Sequence, residues 1–367
     1  MRVKLEDVCE RGSSNIKQSY IIKMSGNYPI YGASGLAGKV NFYHQEQPYV
    51  AVVKDGAGIG RTTLNPAKSS VIGTMQYLIP KKNVLPEYLF YVVSYMHLEK
   101  YYTGATIPHI YFKDYKNKEF NLDNIEKQLE IIDVLGRCKK VIEARKQELV
   151  ELDSLTKARF VELFGDIRCN NKLPLVKLSE FVNIGSSKRI YANEYVDKGV
   201  PFYRSKEIRE LGTGMKPSVE LYIKQERYDE IKEKYGVPKK GDILIAAIGA
   251  TIGYSWIVDT DTPFYYKDGN LIILSIKNNV NPIFLNYTMR ILIEDFKNKD
   301  VAGSAQLALT IEKLEKMMVV NPDIKLQNQF ADFVHQVNKS KFDTMTFAPI
   351  YAIINLYLHT YFYQGRR

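Results

Sequence analysis

The chain contains one ordered set of short motifs twice, and this internal repeat constrains its fold more than any other feature. The motif VKLEDV at 3–8 returns as VKLSEF at 176–181, 173 positions later, and GSS follows both copies. Four further pairs keep the same order: YPIY at 28–31 with VPFY at 200–203, GAGIG at 56–60 with GATIG at 249–253, LPEYLFY at 85–91 with NPIFLNY at 281–287, and NIEKQ at 124–128 with DIKLQ at 323–327. Single matches of this length arise by chance, but five in one order rarely do, so we expect two copies of one unit.

Each copy shows the same succession of patterns. An opening strand or turn precedes an extended YPIY-type strand, a glycine-rich hairpin region and apolar runs such as 49–53 and 241–245, which indicate a sheet. A short helix is expected after Pro86 and after Pro282, because proline suits the first helical turn. A closing helix ends each copy, so the sequence predicts an α+β fold with two similar domains.

The closing helix of the first copy is predicted from Asp123 to Gly165. Apolar residues recur every seven positions at Leu135, Ile142 and Leu149, so one face stays apolar over many turns. Asp123 is the expected N-cap, and Gly165 is the expected stop. The resulting length of roughly 60 Å favours a spacer or coiled-coil strand over a core helix of one domain.

The closing helix of the second copy is predicted from Asp323 to about Phe342. When the two helices are aligned at an offset of 199, the apolar face is kept for about three turns and then fails, because Ile142 aligns with Lys341. The residues predicted to pair the helices are Ile131, Leu135, Cys138, Ile142, Leu149, Phe330, Phe333, Val334 and Val337.

Composition favours a basic, globular chain with a polyanionic partner. The 367 residues suffice for two domains and a connector, and the formal net charge is +10. Tyrosine is abundant, at 27 residues, which suits stacking and hydrogen bonding on nucleic acid, although a coding bias toward A+T would produce the same excess. Cys9, Cys138 and Cys169 are widely spaced and fit reduced cytoplasmic thiols.

No catalytic or metal-binding constellation is found in the sequence. Each of the five histidines is isolated, and no nucleophile with a base and no metal-ligand spacing is present. The glycine-rich loop at 55–63 lacks the Lys-Ser/Thr that ends a phosphate-binding P-loop. A similar loop recurs at 248–253 in the second copy, which favours tight turns in both copies over a nucleotide site. The N-terminus lacks a secretory h-region, and the apolar stretch Phe347 to Tyr363 is too short to span a membrane.

Basic and aromatic residues concentrate in the turn-rich stretches of both copies. Lysine and arginine neutralise phosphates and read guanine, which makes such residues candidates for contact with DNA. The predicted DNA-binding residues are Lys39, Lys54, Arg61, Tyr102, His109, Lys113, Lys188, Arg189, Arg204, Lys206, Arg209, Tyr254 and Lys267. Arg61, Arg204 and Lys206 are the strongest candidates among them.

The ordered motifs resemble the specificity subunit of type I restriction-modification systems over roughly residues 1–342. Further matching pairs are TGATIPHIYFKD at 103–114 with AGSAQLALTIEK at 302–313, and NIEKQLEIIDVL at 124–135 with DIKLQNQFADFV at 323–334. The resemblance implies a non-catalytic subunit used in defence against phage. Two target-recognition domains would each read half of a split site in double-stranded DNA, and two conserved helices would pack antiparallel as a spacer.

The resemblance also implies partners and domain limits. Two modification subunits, which carry S-adenosylmethionine, would dock on the helices, and separate restriction or translocase subunits would cut DNA with Mg and ATP, so no cofactor is expected in this chain. The expected limits are 1–122 and 166–322 for the recognition domains, 123–165 for the central helix, 323–342 for a shortened distal helix and 343–367 for a divergent tail.

The tail departs from the family pattern, because Pro349 and a tyrosine-rich run replace the expected heptads. A frameshift or recombination junction near Lys341 is one hypothesis, and a genuine sheet-forming or partner-binding tail is the other. Three other functions are weighed: the specificity subunit of a type IIB-like enzyme, an enzyme that binds a nucleotide at the glycine-rich loops, and a scaffold joined through the helices.

Overall fold

The computed structural model describes residues 1–22, 24–56, 58–103, 108–169, 173–277, 279–300, 308–345 and 358–363. These residues form two compact units, Met1–Glu148 with Asp343–Arg367 (unit 1) and Leu149–Phe342 (unit 2). The division falls inside both long helices, and the domain limits expected from the repeat stay a prediction. No helix in the described ranges is both long and apolar enough to cross a membrane.

Unit 1 is built on mixed, mainly antiparallel sheet. Its strands are β1 (Arg2–Lys4), β2 (Cys9–Ser13), β3 (Tyr28–Gly32), β4 (Gly35–Val40), β5 (Tyr49–Val53), β6 (Thr62–Asn65), β7 (Ser70–Val71), β8 (Met75–Pro80) and β9 (Glu119–Asn121). Its helices are α1 (Leu5–Val8), α2 (Gln18–Ile21), α3 (Pro86–Ser94), α4 (Phe112–Tyr115) and the first part of α5 (Ile125–Phe164). The strands pair in the orders β2-β8-β5-β6, β4-β3-β7 and β1-β9.

Strand β5 is the centre of the unit 1 core, and all five of its residues are buried. Val50 and Val52 pack with Leu89 of α3, whereas Tyr49 and Ala51 belong to a second apolar cluster. Because both faces of the strand are covered, its sequence is continuously apolar.

Unit 2 repeats this plan with additions. Its strands are β10 (Leu175–Lys177), β11 (Val182–Gly185), β12 (Tyr195–Val196), β13 (Val200–Tyr203), β14 (Tyr222–Ile223), β15 (Ile243–Ala246), β16 (Ser255–Ile257), β17 (Tyr265–Tyr266), β18 (Leu271–Ile276) and β19 (Met318–Val320). Its helices are α6 (Leu178–Phe181), α7 (Ser205–Gly212), α8 (Gln225–Tyr235), α9 (Pro282–Asp300), α10 (Ile311–Glu315) and most of α11 (Ile324–Met345). The strands pair in the orders β11-β18-β15-β16, β12-β14-β13-β17 and β10-β19.

The two units share their strand order, which confirms the predicted α+β fold with two similar domains. The sheet β2-β8-β5-β6 corresponds to β11-β18-β15-β16, and the parallel pair β3–β7 corresponds to β13–β17. Helices α7 and α8 account for much of the extra length of the second copy. One expectation was wrong: the helix after Pro282 is not short, because α9 runs for 19 residues.

The predicted long helix is present as α5, with 40 residues, and a correction applies to its start. Asn124 caps it, since its Oδ1 accepts a hydrogen bond from Lys127 N at 3.0 Å. Asp123, the predicted cap, is buried and accepts a hydrogen bond from the hydroxyl of Tyr88 at 2.9 Å. The helix stops as predicted at Gly165, which has a φ of +72°.

Within unit 2 the end of α5 packs antiparallel against α11. The rings of Phe160 and Phe330 lie 5.2 Å apart, and the guanidinium of Arg159 lies 5.9 Å from the ring of Phe333. Further along, Lys341 Nζ contacts Asp153 at 2.5 Å. Residue numbers therefore decrease along α5 as they increase along α11, which is the geometry expected of an antiparallel pair.

Residues 358–363 are helical. A sheet-forming tail is therefore wrong for this stretch, whereas residues 346–357, including Pro349 and most of Phe347 to Tyr363, lie outside the described residues. The frameshift or recombination origin stays a hypothesis.

Candidate nucleic-acid interface

The glycine-rich loops are hairpin turns in both units, as the repeat predicts. In unit 1, Gly60 N donates to Val53 O at 2.9 Å and Val53 N donates to Arg61 O at 2.9 Å, which joins β5 to β6. In unit 2, Gly253 N donates to Ala246 O at 2.9 Å in the same way. Gly60 has a φ of +80°, and a Cβ there would lie 2.8 Å from Glu99 N, so a glycine is required. Ala57 lies outside the described residues.

A basic cavity of about 350 Å³ opens beside the unit 1 turn (the unit 1 cavity). Its lining residues are Arg11, Lys54, Asp55, Gln76, Ile110, Tyr111, Phe112, Lys113 and Lys116. Four of these side chains are cationic and one is anionic, so the lining attracts an anion. Gln76 is buried and donates from Nε2 to the hydroxyl of Tyr115, which fixes its amide at the cavity wall.

Asp55 contacts two basic side chains beside this cavity. Its Oδ1 lies 2.7 Å from His109 Nδ1, and its Oδ2 lies 3.4 Å from Lys54 Nζ. Lys113 Nζ lies over the ring of Tyr111, 5.4 Å from its centroid. The structure thus brings together three of the predicted DNA-binding residues, Lys54, His109 and Lys113.

Of the unit 1 candidates, Lys54 and Lys113 line the cavity, His109 reaches it only through Asp55, and the others are not among the described lining residues. Arg61 is exposed and donates from Nη1 to Ala33 O at 2.9 Å, which ties it to the β3–β4 hairpin. Lys39 is exposed on β4, and Tyr102 is 58% exposed.

Sequence reasoning missed Arg11, Gln76 and Lys116. Arg11 and Gln76 lie on β2 and β8, whose antiparallel pairing places Arg11 opposite Leu78. The two residues are more than sixty positions apart, so only a prediction that β2 pairs with β8 could have placed them at one site.

In unit 2, Arg204 and Lys206 are held by carboxylates. Glu207 is fully buried and accepts hydrogen bonds from Arg204 N at 2.8 Å and Nη2 at 2.9 Å. Glu220 accepts from Lys206 Nζ at 2.5 Å and from Arg204 Nη2 at 2.9 Å. The hydrogen bond from Lys206, followed by that from Arg204, lowers the pKa of Glu220 to about 2. Two of the strongest candidates are therefore already neutralised within the unit.

A second group of unit 2 candidates lies around Tyr265 and Asp268. Arg189 Nε donates to Asp268 Oδ2 at 2.7 Å, and the backbone N of Lys188 donates to the hydroxyl of Tyr265 at 2.7 Å. Lys267 directly precedes Asp268 in the chain. Arg189 and the backbone of Lys188 are thus held beside β17, and Lys267 directly follows that strand in the chain.

The remaining unit 2 candidates, Arg209 and Tyr254, are both exposed, and Tyr254 is 44% exposed. Across the ranges that the structure describes, no carboxylate lies within ion-pair distance of Lys39, Arg209 or Lys267. These three cations are electrostatically available to a phosphate.

The predicted helix-pairing residues lie mostly on packed faces. Leu135 is buried in the unit 1 core with Ile131 against it, while Cys138, Ile142 and Leu149 are half-buried. Phe330, Val334 and Val337 are buried in unit 2, and Phe333 is half-buried. Their role as a pairing surface stays a prediction.

The described residues contain no cluster of three or more His, Cys, Asp or Glu side chains that could hold a metal ion.

Comparison with known proteins identifies the family. The model of the type I restriction modification DNA specificity domain matches residues 1–153 and 171–349. A type I restriction enzyme specificity subunit of Haemophilus influenzae is 25% identical over 359 residues, covering 89% of this chain and 82% of that protein.

Two solved structures share the fold. The S subunit of the type I restriction-modification system from M. genitalium superimposes with a TM-score of 0.63 at 15% identity, covering 98% of this chain and 95% of that one. A chain from a study of complex assembly and conformational transition of the type I restriction-modification system gives 0.55 at 15% identity, covering 98% and 97%. With the family model matched across both repeats, the chain belongs to the family of type I restriction-modification DNA specificity subunits.

Proposed function

We propose that this chain binds double-stranded DNA at a bipartite target, with each unit reading one half and the bases between them left uncontacted. The duplicated unit is the observation that carries the proposal. Both units have the same sheet order, and the chain belongs to a family of DNA specificity subunits. Two such units suit a target made of two short sequences at a fixed separation, as dimeric DNA-binding proteins read two half-sites at a set spacing.

The charge distribution supports this proposal and assigns roles. In unit 1, the unit 1 cavity offers Arg11, Lys54, Lys113 and Lys116 to backbone phosphates. In unit 2, Arg209 and Lys267 supply the cations, because no described carboxylate lies within ion-pair distance of either, whereas Arg189 is paired with Asp268. Arg204 and Lys206 act mainly by positioning, because Glu207 and Glu220 already bind them.

The proposal extends to partners. As a recognition subunit the chain leaves catalysis to others: two modification subunits that bind S-adenosylmethionine and methylate DNA, and restriction or translocase subunits that use Mg and ATP. The antiparallel packing of α5 on α11 within unit 2 supports a docking role for these helices.

Selection from a random DNA library, performed with the chain and its modification subunits, tests the proposal. We expect two short conserved blocks separated by a gap of constant length and free base composition. Uniform recovery of all sequences, or a single uninterrupted block, would overturn it.

A further inference from the structure

The unit 1 cavity and the corresponding place in unit 2 share a backbone but not their side chains. The bridge between Asp55 and His109 returns in unit 2 as a bridge between Ile248 and Ala308. The strands beside it also correspond, since β2 pairs with β8 as β11 pairs with β18. Each lining position of the cavity therefore has a defined counterpart in unit 2.

At each charged position of the lining, and at Gln76, unit 2 carries an apolar or an acidic residue. By strand register, Ile184 corresponds to Arg11 and Ile272 corresponds to Gln76. The counterparts of positions 54, 55, 110, 111, 112, 113 and 116 are Ala247, Ile248, Leu309, Thr310, Ile311, Glu312 and Glu315. The four cations are thus replaced by two aliphatic side chains and two carboxylates. Because unit 2 folds on the same backbone without them, the polar lining of unit 1 points to a ligand and not to the fold.

Gln76 presents a fixed hydrogen-bond acceptor to the cavity. Its side chain is buried, and its Nε2 donates to the hydroxyl of Tyr115. Its Oε1 receives no hydrogen bond from the described residues and is not sealed from solvent. With Nε2 committed to Tyr115, the amide turns its oxygen toward a molecule in the cavity. An acceptor in this place selects a ligand with an N–H group.

Two of the four cations at the cavity are available to an anion. Within the described ranges, no carboxylate lies within ion-pair distance of Arg11 or Lys113. Lys116 Nζ lies 2.7 Å from Glu6 Oε2, and Lys54 Nζ lies 3.4 Å from a carboxylate oxygen of the next residue in the chain. Two unpaired cations at one cavity attract a phosphate group.

The ring of Tyr111 adds a stacking surface to the same cavity. Tyr111 is 51% exposed, and Lys113 Nζ lies 5.4 Å from its ring centroid. A phosphate alone gains nothing from such a ring, whereas a nucleic-acid base stacks on it. The volume of about 350 Å³ falls among small-molecule pockets, which begin at roughly 300 Å³.

We propose that the unit 1 cavity binds a single nucleotide whose base is adenine or cytosine. Arg11 and Lys113 hold its phosphate, Tyr111 stacks on its base, and Gln76 Oε1 accepts a hydrogen bond from its exocyclic amino group. Adenine and cytosine carry this group where guanine and thymine carry a carbonyl oxygen, which Oε1 repels. The nucleotide is either free or turned out of the DNA stack. The inference goes beyond the reading of a bipartite target and does not depend on it.

Titration calorimetry on the full-length chain with dAMP and dIMP tests the proposal, because dIMP replaces the amino group of dAMP by a carbonyl oxygen. We expect dAMP to bind about tenfold more tightly than dIMP, and inorganic phosphate to bind more weakly than dAMP. Gln76→Ile, which copies unit 2, should bind dAMP and dIMP equally. Arg11→Ile should weaken both, and Lys139→Gln on α5 should change neither.

Competition with DNA identifies the source of the nucleotide. A duplex with one unpaired, bulged adenine should displace dAMP more strongly than the fully paired duplex if the cavity takes its nucleotide from DNA. Equal displacement by the two duplexes makes the free nucleotide the ligand.

Two results would overturn the proposal. One is equal binding of dAMP, dIMP and inorganic phosphate to the parent chain, which would reduce the cavity to a phosphate contact. The other is the absence of measurable dAMP binding at millimolar concentration. Neither result bears on selection from a DNA library, so this proposal and that of bipartite DNA recognition fail separately.

Discussion

Gln327 repeats in unit 2 two of the three hydrogen bonds that the side chain of Gln128 makes in unit 1. Gln128 Oε1 accepts from Leu85 N at 2.9 Å, and its Nε2 donates to Asp123 O at 2.8 Å. Gln327 Oε1 accepts from Asn281 N at 2.9 Å, and its Nε2 donates to Pro322 O at 2.9 Å. Both side chains are fully buried, so each amide ties the start of a long helix to the segment before α3 or α9.

Replacing either glutamine by alanine should destabilise its unit. Gln128→Ala leaves the backbone N–H of Leu85 without its acceptor, and an unsatisfied buried group costs about 1–3 kcal/mol. Gln327→Ala should cost a similar amount. Urea unfolding of each variant measures the loss, with the exposed Gln336→Ala on α11 as control. Free energies of unfolding equal to that of the control would contradict the assigned role.

The three thiols should differ sharply in reactivity. Burial raises the pKa of the Cys9 thiol to about 12, so it carries almost no thiolate near neutral pH. Cys169 is exposed and Cys138 half-buried. Iodoacetamide added to the folded chain at about pH 8 should therefore label Cys169 first and Cys9 only after unfolding, as read by peptide mass spectrometry. Native labelling of Cys9 as fast as Cys169 would show that β2 opens.

The Glu220 ion pairs should stabilise unit 2 only above acidic pH. Its pKa falls from the ordinary 4.5 to about 2 on folding, so the unfolded chain binds more protons between these values. The contribution is therefore fully present above about pH 4.5 and is lost as pH falls toward 2. Glu220→Gln should lower the melting temperature at neutral pH, and the gap from the parent should narrow steadily below about pH 4. A gap independent of pH would contradict the assignment.

How far the sequence predicts this molecule depends on the separation of the interacting groups. Helix α5 was predicted within two residues at its start because heptad spacing and Gly165 are local signals. The neutralisation of Lys206 was not, because its partner Glu220 lies 14 positions away, across α7 and a following loop. Residue types alone showed a candidate phosphate contact but not its partner.

The tail gives the longest case. The sequence shows Tyr361 as part of an aromatic run, whereas its hydroxyl contacts Asp123, 238 positions earlier. Such a contact depends on the fold of unit 1 and on where the segment lies in it. Neither produces a pattern in the neighbouring sequence from which the contact could be predicted. The same holds for Arg11 and Lys116, which meet only at the unit 1 cavity.

The cations of the unit 1 cavity should contribute to DNA affinity without setting the target sequence. A lysine that contacts a phosphate releases about one counterion, so Lys54→Gln or Lys113→Gln should reduce the slope of log affinity against log salt by about 0.9. Affinity should fall alike for cognate and unrelated DNA, because phosphates carry no sequence information. Fluorescence anisotropy across a salt series, with the modification subunits present, measures both effects. Lys139→Gln on α5, an exposed lysine outside the cavity, is the control, and salt slopes equal to its slope would place the DNA elsewhere on unit 1.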